Sequence, residues 1–254
     1  MNTVQIKNRI IGEGRPKICV PITGKTYEDI LAQADKIISS PQSKNVDMVE
    51  FRGDYFVDLQ DMSQLEKVLN ELKKRFVDII LLFTIRSYKE GGEKLSFESP
   101  SISDINAFVI ENKLADMVDV ELFSGEDDCK RMASLAREHN VHIVMSNHDF
   151  KTTPSVEDMV SRLTKMQELG ASVAKIAVMP ENSMQVIDLL KATAIMKEEH
   201  PKTPVITISM GKLGAITRVS GATFGSAVTF ATLEHSSAPG QLPIAMVQEI
   251  MDSL

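Results

Sequence analysis

Two short runs, Ile143-Val144-Met145-Ser146-Asn147-His148 and Val173-Ala174-Lys175-Ile176-Ala177-Val178, decide the fold. Each is rich in β-branched residues. Between them Val156, Met159, Val160, Leu163 and Met166 recur at spacings of three and four, the apolar stripe of a helix that covers a sheet. Ser155 offers an N-cap oxygen and Gly170 a C-terminal stop. Strand, helix, strand in under forty residues is a unit that lays two parallel strands side by side. The same rhythm runs outward in both directions. Strand-like runs are predicted at Lys17–Ile22, Met48–Arg52, Ile79–Arg86, Met117–Leu122, His142–His148, Val173–Met179, Val205–Met210 and Ala227–Ala231. Helical stretches lie between them at Tyr27–Ile38, Met62–Phe76, Ile102–Lys113, Asp127–His139, Val156–Leu169 and Met184–Glu199, with Thr26 and Ser101 as further caps.

Eight strands alternating with helices in 254 residues is the count of a (β/α)8 TIM barrel. An open doubly wound sheet is the alternative, but it usually carries a glycine-rich first turn, and Pro21-Ile22-Thr23-Gly24-Lys25 has neither GxGxxG nor a P-loop. Residues 1–254 are therefore expected to form a single α/β barrel domain. Val4, Ile6, Ile10 and Ile11 predict an N-terminal β-hairpin that closes the bottom.

Composition narrows the class. Hydrophobic residues make up 43% and charged residues 25%, the balance of a globular chain. A net charge of -7 argues against a general nucleic-acid binder. The longest apolar run, Ile79 to Phe83, is far short of the roughly 20 residues that span a bilayer. Met1 to Gly14 lacks an apolar core, so no signal peptide and a cytoplasmic protein are expected. Cys19 and Cys129 cannot make a disulfide framework and suit a packing role.

Strand side chains alternate between faces. If Val49 and Phe51 face the helices, Glu50 and Arg52 point into the barrel. The same alternation turns Arg86, Asp119, Glu121, His148 and Lys175 inward. Five consecutive strands thus deliver ionisable groups to one interior, most of them near strand C-terminal ends, where barrel enzymes keep their active sites. Any one pair reads as a satisfied ion network. Seven groups converging read as a polar active site, since each unpaired buried charge costs several kcal/mol.

No metal set is evident: HExxH, CxxC and EF-hand patterns are absent. Gly91-Gly92 is at most a weak phosphate cue, and a GxSxG elbow is missing. A lone interior lysine suits imine chemistry instead. Its neutral amine attacks a ketone, and the imine then acts as an electron sink. Burial and nearby cations such as Arg86 favour the neutral form. His148, on the adjacent strand, is the natural proton carrier. Either Glu90 or Glu121 is placed to orient it. The bland alternative for Lys175 is a structural salt bridge to Glu121 or Asp119.

These residues carry a resemblance. Asp119-Val120-Glu121-Leu122, twenty residues, then Ile143-Val144-Met145-Ser146-Asn147-His148-Asp149 resembles the signature of the type I 3-dehydroquinate dehydratases. Glu50-Phe51-Arg52, Phe83-Thr84-Ile85-Arg86-Ser87, Lys89-Glu90-Gly91-Gly92, Lys175-Ile176-Ala177-Val178-Met179-Pro180 and Ser237-Ala238-Pro239-Gly240-Gln241 extend it over essentially the whole chain. The resemblance implies a metal-independent, cofactor-free barrel of the shikimate pathway that dehydrates 3-dehydroquinate, and a homodimer. It implies Lys175 as the imine-forming lysine, His148 as general acid/base and Glu90 as the carboxylate that positions His148. Arg218 would bind the substrate carboxylate. Glu50, Arg52, Arg86, Ser237 and Gln241 would contact the substrate, with Met210 and Phe230 as apolar walls. Pro21 and Gly211 depart from residues common in the family. The glycines between Met210 and Gly225 fit either a closing lid or simple barrel turns. An imine-forming aldolase and a non-catalytic sugar- or carboxylate-binding barrel are the rival readings.

Overall fold

A computed structural model describes residues 3–95, 100–233 and 238–253. It opens with a hairpin of β1 (Val4–Ile6) and β2 (Arg9–Ile11). The repeating units follow: β3 (Lys17–Ile22), α1 (Tyr27–Ser39), β4 (Met48–Arg52), α2 (Met62–Arg75), β5 (Ile80–Thr84), α3 (Ile102–Glu111), β6 (Met117–Glu121) and α4 (Glu126–His139). Then come β7 (His142–Asp149), α5 (Val156–Glu168), β8 (Val173–Val178), α6 (Ser183–Glu199), β9 (Val205–Ser209), α7 (Gly221–Phe224), β10 (Val228–Thr232), β11 (Leu242–Pro243) and α8 (Ile244–Ser253). Thr26, Ser101 and Ser155 cap their helices as expected; Asp61 and Asn182 cap α2 and α6.

The sheet is parallel, in the order β11-β10-β3-β4-β5-β6-β7-β8-β9. Its two ends meet. Ala227 N–H donates to Val205 O at 2.8 Å, and Thr207 N–H to Ser226 Oγ at 3.1 Å, joining the segment that leads into β10 to β9. β3 to β10 are the eight barrel strands, and β11 is added at the upper end of β10.

Alternation sorts the apolar residues into two cores. Val49, Phe51, Leu81, Phe83, Ile85, Ile143, Met145, Ile176 and Val178 pack outward against helix residues such as Ile30, Leu69, Met159 and Leu163. Cys19, Met48, Ile80, Leu82, Met117, Val144, Val173 and Ile206 fill the lower interior, with Ile6 and Ile11 of the hairpin in the same cluster. The hairpin therefore plugs the N-terminal mouth. Lys7 Nζ fixes it there, donating to Phe76 O and Ile79 O and pairing with Asp116 at 2.8 Å. Above this floor the interior turns ionic.

Asp47, just before β4, ties the plug to the sheet. It accepts from Arg15 at 2.7 and 3.2 Å and from Ile18 N–H at 2.9 Å, and pairs with Arg9 at 3.2 Å. Asp47→Ala strands these donors. We expect a stability loss of about 2–3 kcal/mol, because both arginines stay partly solvated. Urea unfolding should show it as a lower midpoint with an unchanged slope; an unmoved midpoint would show the plug to be held otherwise.

Candidate active site

The upper interior forms a cleft of about 520 Å³, its open mouth included, lined by Glu50, Arg52, Arg86, Glu90, His148, Lys175, Met210, Arg218, Phe230 and Gln241 among others. Of the residues that the family resemblance assigned to the site, all but one line it; Asp119 and Glu121, which strand alternation turned inward, do not. Ser237 lies outside the described residues. Pro21 does not line this cleft.

Lys175, on β8, is 4% exposed. Its Nζ lies 3.7 Å from Glu50 Oε1 and 4.4 Å from the centre of the Phe230 ring. Glu50 is itself held by Thr84 Oγ1, which donates to Oε1 at 3.0 Å. The expected alternative partners, Asp119 and Glu121, are engaged elsewhere. Both bind Arg86, through Nη2 to Asp119 and Nη1 to Glu121, each at 2.9 Å. Ser146 joins this cluster, accepting from Arg86 at 2.9 Å and donating to Asp119 at 2.7 Å. Burial opposes the charge on Arg86, but Asp119, Glu121 and Glu90 more than offset it and raise its pKa. Arg86 thus compensates anions, a structural duty the alternation of strands could not foretell.

Arg52 is likewise occupied. Its guanidinium makes two hydrogen bonds to Asp54, both 2.8 Å, and Asp54 also accepts from the backbone N–H groups of Arg86 and Glu93. Arg218 differs. It donates to Phe230 O at 3.3 Å and Pro239 O at 2.9 Å, and its buried Nε–H has no acceptor among the described residues. Burial, with no compensating anion among the described residues, lowers its pKa to about 10, so it remains charged at neutral pH.

Between Glu90 and Glu121 the geometry favours Glu90. Its Oε2 accepts from His148 N–H at 2.9 Å and lies 3.0 Å from His148 Nδ1, while Asn147 Nδ2 donates to Oε1 at 3.1 Å. A carboxylate at Nδ1 fixes the tautomer and leaves Nε2 for the cleft. Burial, with the positive charges of Arg86, Lys175 and Arg52, holds the imidazole well below its usual pKa. Burial and the neighbouring Glu121 raise Glu90 to about 7, against Arg86 and Asn147.

Glu90 reaches His148 because the chain turns sharply after it. Gly91 has φ +85°, and a Cβ there would lie 2.3 Å from the Phe150 ring; a Cβ on Gly92 would lie 1.9 Å from Arg86 O. These glycines allow close packing beside the cleft. The segment after Met210 is a 3-10 helix, Leu213–Arg218, followed by α7, and a Cβ on Gly214 would meet Ser209 O at 2.0 Å.

Thr84, Asp54, Ser146 and Asn147 were not anticipated. Thr84 and Ser146 share the inward parity of Arg86 and His148, so alternation could have found them. Asp54 lies in a 3-10 turn beyond β4, where strand periodicity has ended.

A family model described as type I 3-dehydroquinase matches residues 18–254. The chain is 44% identical over 252 residues to a 3-dehydroquinate dehydratase of Clostridium novyi, covering 99% of this chain and 98% of the relative. It is 43% identical over 254 residues to that of Bacillus subtilis, covering 100% and 98%. Among solved structures, a type I 3-dehydroquinate dehydratase from Clostridium difficile with covalently modified comenic acid superposes with a TM-score of 0.93 at 42% identity, covering 99% of this chain and 97% of that one. With the sequence matched from β3 to the C-terminus and the barrel superposed throughout, the chain belongs to the type I 3-dehydroquinase family.

Proposed function

We propose that this chain dehydrates 3-dehydroquinate to 3-dehydroshikimate through an imine on Lys175. The observation that carries the reading is the convergence, in one buried cleft, of a lysine amine, a carboxylate-oriented imidazole and an arginine with no acidic partner among the described residues. The relative solved with covalently modified comenic acid supports a covalent step.

The amine of Lys175 attacks the ring ketone. His148 aids carbinolamine formation and loss of its hydroxyl as water, leaving an iminium. His148 then takes a proton from the carbon next to the iminium carbon, and the electron pair moves into the iminium to give an enamine. The enamine expels the tertiary hydroxyl, which leaves as water with the proton His148 carries. Hydrolysis of the conjugated iminium releases the enone and restores the amine. The iminium is the electron sink, so the steps need no metal or cofactor. Arg218 takes the substrate carboxylate, and Glu50, Arg52, Arg86 and Gln241 complete the polar wall opposite Met210 and Phe230. Fixing the ring this way presents the reacting C–H to His148. Ser237 belongs to the same proposal through the family resemblance.

The proposal includes a cytoplasmic location and a homodimer. No described helix is long and apolar enough to cross a membrane. Met184 and Ile187 on α6, and Leu213 and Ile216 in the adjoining 3-10 helix, are each more than half exposed. We assign this apolar face to the second copy. Ile187→Glu should turn dimers into monomers in sedimentation, and a dimer that survives it uses another face.

Borohydride added during turnover should fix one substrate-derived mass on Lys175. His148→Ala should still give that adduct while turnover falls by about 10^3-fold or more. A protein that turns over without ever being trapped does not use the imine.

Arg218→Ala should raise KM about 100-fold, with a smaller effect on kcat, as expected for a buried charge-assisted contact. An unchanged KM would assign the carboxylate elsewhere.

Glu90 and His148 titrate as a pair. A proton on Glu90 lets its O–H donate to Nδ1, which moves the ring hydrogen to Nε2 and removes the base. Activity should therefore fall as pH drops through about 7, the value to which Glu90 is raised. Glu90→Gln removes that group and leaves an imidazole depressed by burial and three cations. The acid limb of kcat/KM should then move to lower pH, with a reduced plateau. A limb that stays in place would show that Glu90 does not set it.

A further inference from the structure

One side chain on the outer helix layer reaches into the buried dyad. Arg162, on α5, forms an i,i+4 ion pair with Asp158, through Nε at 3.3 Å and Nη2 at 2.7 Å, and its guanidinium lies 5.6 Å from the centre of the Phe123 ring. That pair alone is an ordinary surface contact worth little. Its remaining nitrogen, Nη1, donates to Asn147 Oδ1 at 2.8 Å. Asn147 is only 3% exposed, and the other end of its amide donates to Glu90 Oε1 at 3.1 Å.

An amide is polar in one sense only. Turned over, Asn147 would present its NH2 to the guanidinium and its oxygen to the carboxylate, both repulsive. Arg162 therefore fixes which end of Asn147 meets Glu90. Asn147 in turn holds Oε1, so that Oε2 stays on the backbone N–H and the Nδ1 of His148. We propose that Arg162 is a positioning residue for the dehydratase reaction, acting through the Asn147 amide to keep Glu90 in the orientation, and the ionised form, that makes His148 a base.

The remaining groups around Glu90 are Arg86 at 3.6 Å, just past β5, and Asp119 and Glu121 on β6. On the His148 side, Arg52 of β4, Arg86 and Lys175 of β8 contribute positive charge. Asp119 and Glu121 are bound to Arg86, so the Asn147 donor is the neutral contact that favours the Glu90 anion and is set from outside the cleft.

The inference rests on Glu90 orienting His148. In Arg162→Met the amide is free to turn, Glu90 loses its donor and takes up its proton at higher pH. The acid limb of kcat/KM should rise by about half a pH unit or more. At pH 7 kcat should drop several-fold and recover in alkali, while KM and borohydride trapping of Lys175 stay unchanged. Arg162→Lys, which retains a donor for Asn147 Oδ1, should place the limb between the two. Lys130→Met, which deletes an exposed ion pair to Glu126 on α4, should leave the profile as it is. Asn147→Asp keeps the bond to Arg162 but offers Glu90 an anion, and should raise the limb further, so it decides the matter if Arg162→Met does not fold. A limb unmoved in Arg162→Met or in Asn147→Asp, or a loss of kcat equal at every pH, would overturn the relay. If Glu90→Gln alters the profile while Arg162→Met does not, only the relay fails; if neither does, the role of Glu90 fails with it.

Discussion

The structure turns on how one guanidinium is spent. Arg86, 3% exposed, binds Asp119 and Glu121 and lies near Glu90. Buried anions of this number are tolerated only with a compensating cation of fixed geometry. Because Arg86 takes that duty, another interior cation, Lys175, is not drawn into a tight ion pair among the described residues. Its nearest carboxylate oxygen, on Glu50, stands at 3.7 Å, and Thr84 bonds to that same oxygen. Arg86, just past β5, thus takes the close carboxylate contacts, and Lys175 on β8 has only the longer one to Glu50 among the described residues.

The same division runs among the arginines. Arg52 and Arg86 have protein carboxylates at 2.8 and 2.9 Å; among the described residues Arg218 has only backbone carbonyls and an unmatched Nε–H. An open site for an anion needs one cation whose desolvation is left uncompensated in the empty protein. The cost is carried by the rest of the barrel, whose floor is apolar from Met48 across Leu82 and Met117 to Ile206 and is sealed below by Ile6 and Ile11.

A cofactor-free elimination asks for a base that is neutral before it acts and cationic for a moment afterwards. Burial and the surrounding cations hold His148 well below the usual imidazole pKa, and Glu90 lies 3.0 Å from its Nδ1, where the proposed mechanism puts the positive charge. Glu90 arrives on a turn permitted by glycines that carry no chemistry. The phosphate cue seen in Gly91-Gly92 is replaced by a steric duty: the backbone must pass close to Arg86 and Phe150.

Periodicity in the sequence determined the barrel, because a two-residue alternation inside strands and a 3.6-residue stripe between them are local consequences of backbone geometry. It also determined which charges face inward, since Glu50, Arg52, Arg86, Asp119, Glu121, His148 and Lys175 obey the same alternation as their apolar neighbours. Partnerships were beyond its reach. That Arg86 takes Asp119 and Glu121 and that Arg52 turns to Asp54 depend on distances between residues 2 to 35 positions apart. Asn147, whose parity sends it away from the barrel axis, joins the site because Glu90 reaches it from another loop and Arg162 from the helix that follows. Alternation assigns a face; only the closed barrel brings the ends of different strands within hydrogen-bond range, and there the choice of partner is made.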